Sequence, residues 1–203
     1  TKPFTLMIFF IKKITFFAGA NAVKFQKRNL ESIYQKEILE NPTLDSQGTE
    51  ILIDILHKVE FNEDDFKNIV DYCNKKQITF LCTPWDIPSV DFLERLNVSG
   101  YKIASADMTN FPLLKHISKT KKPLIISTGM SSMDEIEKTV IFIKNQDVPF
   151  LILHCNSTYP SPVEMLNLEL IPVLREKFDV PIGYSGHESD IIPSVTAANM
   201  GAV

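Results

Sequence analysis

Apolar and polar positions follow two rhythms along this chain. Short apolar runs of strand length recur and stop on small polar or ionisable residues. They are Ala22-Val-Lys-Phe-Gln26, Phe80-Leu-Cys-Thr-Pro-Trp-Asp86, Gly100-Tyr-Lys-Ile-Ala-Ser-Ala-Asp107, Pro123-Leu-Ile-Ile-Ser-Thr-Gly129, Phe150-Leu-Ile-Leu-His-Cys-Asn-Ser157 and Pro181-Ile-Gly-Tyr-Ser-Gly-His187. The intervening stretches are long enough for helices, and several carry apolar residues at helical spacing, such as Val90, Leu93 and Leu96. Predicted helices run from Asn62, as N-cap, to Lys76, and over Pro88 to Leu96, Phe111 to Ser118, Ser132 to Lys144, Leu168 to Phe178 and Ser189 to Met200. Ser132, with Glu135 three residues on, has the pattern of a capping box. A further helix is predicted over Glu50 to His57, and the polar stretch Lys27 to Gln47 reads as an elaborated loop with turns at Asn41-Pro42 and Gln47-Gly48.

Repeated βα units predict a parallel sheet, and the expected architecture is a (β/α)8 TIM barrel. In that fold the C-terminal strand ends converge on one mouth that carries the chemistry. Six strands and the first residues of a seventh, Gly201-Ala-Val203, can be read from Ala22 onward. A complete barrel of this type takes about 250 residues, and this chain has 203. The expectation is therefore a single barrel domain over 1–203 that is incomplete, with the first strand and the last βα units missing and Lys12 to Ala18 as the remains of the first helix.

Composition narrows the class of partner. A net charge of −4 argues against nucleic acid and anionic membranes, and small-molecule substrates fit better. The apolar segment Phe4 to Phe17 is broken by Lys12 and Lys13 and is shorter than the ~20 residues of a membrane span. Its Leu6 to Ile11 core is short for a secretory signal. Cys73, Cys82 and Cys155 have no metal-ligand spacing and read as buried thiols in a reducing, cytoplasmic setting.

The chemistry-bearing residues cluster at the strand ends. Lys24 and Gln26 alternate with Val23 and Phe25, which puts both polar side chains on one face. Lys102 and Lys24 offer charge to an anionic substrate, and Thr83, Ser105, Ser127, Ser157 and Ser185 offer hydroxyls. The rival reading of these hydroxyls is helix capping. The rival reading of His187 and Asp107 is that they are turn residues, and that of the lysines is salt-bridged core residues. His57, His116 and His154 read as structural.

Taken together, Val23-Lys-Phe-Gln26, Thr83-Pro84, Tyr101-Lys-Ile-Ala-Ser-Ala-Asp107 with Asn110-Phe-Pro-Leu113, Ile126-Ser-Thr-Gly-Met130, His154-Cys-Asn-Ser-Thr-Tyr-Pro160 and Gly183-Tyr-Ser-Gly-His-Glu188 resemble the N-acetylneuraminate (sialic acid) synthase family, which includes legionaminate and pseudaminate synthases. The resemblance implies a barrel transferase of carbohydrate biosynthesis that condenses phosphoenolpyruvate with an N-acetylated hexose such as N-acetylmannosamine. The products are a nine-carbon 2-keto acid and phosphate. It implies a divalent metal, Mn2+ or Mg2+, with His187 matching one of two metal-binding histidines, and a homodimer in the full-length protein. It assigns Lys24, Lys102 and Asp107 to the catalytic centre. Substrate contacts fall to Gln26, Thr83, Ser105, Ser127, Ser157, Tyr159 and Ser185, of which Gln26 and Tyr159 face the sugar.

The sequence departs from the family in several places. The family's first-strand Glu-Ile-Gly-x-Asn-His-x-Gly motif, its second metal histidine, a later sugar-binding aspartate and the C-terminal antifreeze-like domain have no counterpart here. Ser157 stands where some members carry Asn, and Ala104 and Ala106 where Gly is more usual. The expectation is thus a fragment that is inactive or poor alone. The alternatives are a non-catalytic remnant or binding module, another phosphoenolpyruvate-aldose condensing barrel, and a Schiff-base aldolase acting through Lys24 or Lys102.

Overall fold

A computed structural model of the chain describes residues 19–40, 56 and 60–203. The apolar segment Phe4 to Phe17, the helix expected over Lys12 to Ala18, the turns at Asn41-Pro42 and Gln47-Gly48, and the helix expected over Glu50 to His57 lie outside the described residues, Leu56 excepted. The chain divides into two compact units, Thr1–Ser99 and Gly100–Val203.

In the first unit β1 (Ala22–Lys27) pairs in parallel with β2 (Thr79–Pro84), Lys24 opposite Leu81 and Gln26 opposite Thr83. The pleat sends Val23, Phe25, Phe80 and Cys82 to one face. There Phe25 and Phe80 stack at 5.4 Å, and Val23, Phe80 and Cys82 are buried. The stretch expected to be loop contains two short helices, α1 (Leu30–Ile33) and α2 (Lys36–Glu40). Neither buries a residue, so no apolar stripe announced them; Asn29 caps α1 by accepting from the Ser32 amide.

Helix α3 (Glu63–Lys76) starts at Asn62 with a reciprocal capping box to Asp65, as the three acids of its first turn favour. Its buried stripe is Phe66, Ile69 and Cys73. Helix α4 (Ile87–Arg95) is capped by Asp86, a buried carboxylate that also accepts from the Asn29 amide at 2.7 Å. One side chain thereby ties the loop after β1 to the loop after β2. Cys73 and Cys82 are free thiols, and burial pushes them up to about 11 and about 12 respectively.

The second unit is β3 (Tyr101–Ile103), a 3-10 turn over Ser105–Asp107, α5 (Phe111–Ser118), β4 (Leu124–Ser127), α6 (Met133–Lys144), β5 (Phe150–Cys155), α7 (Leu170–Phe178), β6 (Ile182–Ser185) and α8 (Ile192–Asn199). β3, β4, β5 and β6 pair in parallel in chain order. That order, without the reversal of a doubly wound sheet, is the winding of a (β/α) barrel. Tyr101, Ile103, Leu124, Ile126, Ile152 and Ile182 share the face packed under Leu114, Ile117, Ile143 and Ile171, all essentially buried. Residues of opposite parity, including Lys102, Ser127, Cys155 and Ser185, share the other face.

Three boundaries differ from expectation. α7 begins two residues late, at Leu170. α8 begins at Ile192, because the Asp190 carboxylate accepts from the Ile192 amide and Pro193 suits only the first turn. Gly201-Ala-Val203 is not yet a strand, although the Val203 amide donates to Ile182 at 2.9 Å. Among the described residues no helix is long and apolar enough to cross a membrane.

Candidate active site

The β3 to β6 strand ends build a cradle of cation, hydroxyls and one amide. Lys102 is the register partner of Ile125, which stands two residues before Ser127, so its side chain runs along the sheet face toward the end of β4. Its ammonium donates to Ser127 Oγ and, at 2.8 Å, to the Ile103 carbonyl. Ser127, 2% exposed, accepts from this cation and keeps its own proton to give. Ser105 Oγ, at the start of the 3-10 turn, accepts from the Gly129 amide at 3.1 Å and stands 3.7 Å from Cys155 Sγ.

Gly129 is required by space. A Cβ there would overlap Ser157 Oγ and sit 2.8 Å from Ser105 Oγ. Its neighbour Thr128 fastens the loop, donating from both its amide and its hydroxyl to the Leu153 carbonyl at 3.0 Å. Ser185 is level with Cys155 on the adjoining strand. Lys102, Ser105, Ser127, Ser157 and Ser185 thus lie at the C-terminal ends of β3 to β6. A recess of about 510 Å3 lined by Met130, Cys155, Asn156, Ser157 and Met165 opens beside them.

A second cluster surrounds His187. Its Nδ1 donates to the Asn156 carbonyl at 2.6 Å, which leaves Nε2 as the acceptor of the Tyr159 hydroxyl at 2.8 Å. The two rings stack at 3.9 Å. A histidine whose Nδ1–H is fixed on a carbonyl offers Nε2 to a metal, so the donor chemistry fits the expected role. Among the described residues no group of three or more His, Cys, Asp or Glu is gathered.

The loop carrying His187 is itself anchored. The Tyr184 hydroxyl donates to Glu188 at 2.8 Å and Ser194 adds a bond to the same carboxylate. Burial pushes the Tyr184 hydroxyl up, and the Glu188 carboxylate adds to that. For Glu188 burial acts upward, but hydrogen bonds from its own amide, Tyr184, Ser194 and the His187 amide outweigh it and leave the carboxyl below its ordinary value.

Asp107 is buried in the 3-10 turn and accepts from Asn110, the cap of α5. His154 has the structural place expected of it, buried with Nε2 2.6 Å from the Leu166 carbonyl. In the first unit Lys24 and Gln26 lie on the exposed face of β1, with buried Thr83 opposite Gln26. Burial of the Lys24 stem lowers its amine below the ordinary lysine value, opposed by Cys82 and assisted by Arg28, and the open face moderates the effect in water. Sequence reasoning did not single out the Gly129 amide, the Asn156 carbonyl or Glu188. The first two are backbone groups, and a nearby glycine was the one available signal.

Residues 11–203 match the sequence model described as the NeuB family. N-acetylneuraminate-9-phosphate synthase of Mus musculus is 37% identical over 186 residues, covering 91% of this chain and 52% of the relative. N,N'-diacetyllegionaminic acid synthase of Legionella pneumophila is 34% identical over 192 residues, covering 91% and 54% respectively. A crystal structure of N-acetylneuraminic acid synthetase from Leptospira borgpetersenii superposes with a TM-score of 0.88 at 32% identity, covering 99% of this chain and 66% of that one. The chain spans about half the length of the curated relatives it matches.

Proposed function

Because the chain belongs to the NeuB family, we propose that it takes part in joining phosphoenolpyruvate to an N-acetylated hexose, giving a sialic-acid-type nine-carbon 2-keto acid and phosphate. In this reading C3 of phosphoenolpyruvate forms the new bond to the sugar's aldehyde carbon. Water adds at C2 and passes one proton to the alkoxide formed from the aldehyde; the C2–O bond then breaks, phosphate leaving with the bridging oxygen and the remaining hydroxyl proton as C2 becomes the ketone. The observation that carries the reading is the Lys102, Ser127 and Ser105 cradle, in which the Gly129 amide fixes Ser105 and a cation and hydroxyls are available to a phosphorylated carboxylate.

Lys102 and Lys24 offset the substrate's negative charge, and Thr83, Ser105, Ser127, Ser157 and Ser185 supply hydrogen bonds. Gln26 and Tyr159 orient the sugar. Asp107, fixed by Asn110, holds the turn that presents Ser105. His187 would contribute one nitrogen to a divalent cation, Mn2+ or Mg2+, which when bound polarises the aldehyde and lowers the pKa of water. The family homodimer and a cytoplasmic setting belong to the same reading. Relatives differ in the product they are named for, a 9-phosphate in the mouse protein and an unphosphorylated acid in that of Legionella. The acceptor is accordingly either a phosphorylated or a free sugar.

The test is phosphate release from phosphoenolpyruvate by the full-length protein with Mn2+. Release that depends on N-acetylmannosamine or its 6-phosphate is expected, and release indifferent to both sugars would exclude the reading. A second reading is imine chemistry at Lys24, which needs a neutral amine; burial of the Lys24 stem acts in that direction and its exposed face acts against it. Borohydride trapping with pyruvate labels the protein only in that case.

A further inference from the structure

Asn156, the residue after β5, has a share in the His187 cluster that goes beyond its carbonyl. Its side chain closes both ends of the loop that follows. Oδ1 accepts from the Thr158 amide at 2.9 Å, and Nδ2 donates to the Met165 carbonyl at 3.0 Å. His154 adds a third fastening, its Nε2 donating to the Leu166 carbonyl at 2.6 Å. Within the loop the Ser161 hydroxyl donates to the Thr158 carbonyl at 2.7 Å.

The loop so closed is wrapped around His187. Asn156 supplies the carbonyl that receives Nδ1–H, Tyr159 sets its hydroxyl on Nε2, and the Ser161 amide donates to the His187 carbonyl at 3.1 Å. Residues 156 to 161 thereby hold both ring nitrogens and the carbonyl oxygen of His187. The Nδ1 contact decides the tautomer. A carbonyl can only accept, so it keeps the proton on Nδ1 and the lone pair on Nε2. That contact lasts only while the 156 peptide stays in place, and the last ladder pair of β5 is Cys155 with Ser185. Beyond it the chain has no sheet to orient it, and the Asn156 side chain supplies two of the bonds that do.

We infer that Asn156 is a positioning residue for His187. By fixing its own peptide through its side chain, it holds Nδ1–H on the 156 carbonyl and presents a bare Nε2 to the cation. The inference rests on the reading of His187 as a metal-binding nitrogen, and Asn156 acts through that histidine.

Two measurements on the full-length protein test it. The first needs no metal. It is nitrogen NMR of histidine-labelled protein at alkaline pH, where imidazole is neutral, with the His187 signals assigned by their absence from His187→Ala. The wild type should show one protonated and one bare ring nitrogen, the bare one being Nε2. In Asn156→Ala the two signals should draw together as the tautomers mix. The second is Mn2+ binding, read from the free-ion paramagnetic resonance signal in the Tyr159→Phe background, because loosening the loop also frees the phenol that competes for Nε2. There Asn156→Ala should weaken binding about tenfold, the low end of what loss of an outer-shell partner costs.

Asn156→Ser keeps an acceptor for the Thr158 amide and should recover part of that affinity. The bonds removed lie at the surface, so the fold is not at risk. A lowered melting temperature in Asn156→Ala with tautomer and Mn2+ affinity both unchanged reduces Asn156 to a loop-stabilising residue and overturns the inference. So does an affinity in Asn156→Ser as low as in Asn156→Ala, since restoring the acceptor would then restore nothing. A tautomer that mixes in Asn156→Ala while Mn2+ binding is the same in wild type and His187→Ala upholds the positioning role and counts against the metal reading instead.

Discussion

The Tyr159 hydroxyl donates to His187 Nε2 at 2.8 Å, the nitrogen that the Asn156 carbonyl leaves available. A cation approaching His187 must therefore displace the phenol. The hydrogen bond and the metal compete for one lone pair.

Tyr159→Phe removes that competition at the cost of one exposed hydrogen bond. Mn2+ binding, followed by the loss of its free-ion paramagnetic resonance signal, should tighten about fivefold for a bond worth about 1 kcal/mol. His187→Ala should weaken it. Unchanged affinity in His187→Ala would remove His187 from the metal site.

Ser127→Ala deletes the hydroxyl that accepts from Lys102 and leaves the ammonium next to a methyl group. The KM for phosphoenolpyruvate should rise about tenfold, in line with one charge-assisted hydrogen bond. A raised sugar KM with an unchanged phosphoenolpyruvate KM would place Ser127 elsewhere in the reaction.

Gly129→Ala puts a methyl group into space held by Ser157 Oγ and Ser105 Oγ. Overpacking of this kind costs about 1–3 kcal/mol, which lowers the melting temperature by several degrees in a chain of this length. The same change should weaken phosphoenolpyruvate binding, because the 129 amide and Ser105 can no longer approach. Full stability and full binding in the variant would show the cradle to be looser than the 3.1 Å contact indicates.

Much of this arrangement was legible because its determinants are local. Asn62 and Ser132 announced their helices through capping boxes closed within three residues, and each strand ended on the polar residues that formed the motifs. The short helices after β1 were hidden because they bury nothing. The contacts that make the site are non-local: Lys102 meets Ser127 across 25 residues, and Tyr159 meets His187 across 28. Strand register decides the first, and the fold of the β5 loop decides the second. Neither leaves a trace in spacing, so Tyr159 could be assigned to the sugar while its hold on His187 went unseen.

Glu188 is depressed below its ordinary 4.5 despite burial acting the other way. A lowered carboxyl contributes stability above its ordinary pKa and loses it as pH falls through the lower folded value. Tyr184→Phe removes one of the donors, so the Glu188 carboxyl should titrate at higher pH, closer to 4.5. Carbon-detected NMR titration of the side chain would read the shift, and an identical midpoint in both proteins would contradict the bond.

The central claim is that the β3 to β5 strand ends hold phosphoenolpyruvate. Calorimetric titration of phosphoenolpyruvate into the full-length protein and its Lys102→Ala variant tests it most directly. One site per chain is predicted in the wild type, with affinity lost by at least about tenfold when the cation is removed. Equal affinity in the two proteins would contradict the account.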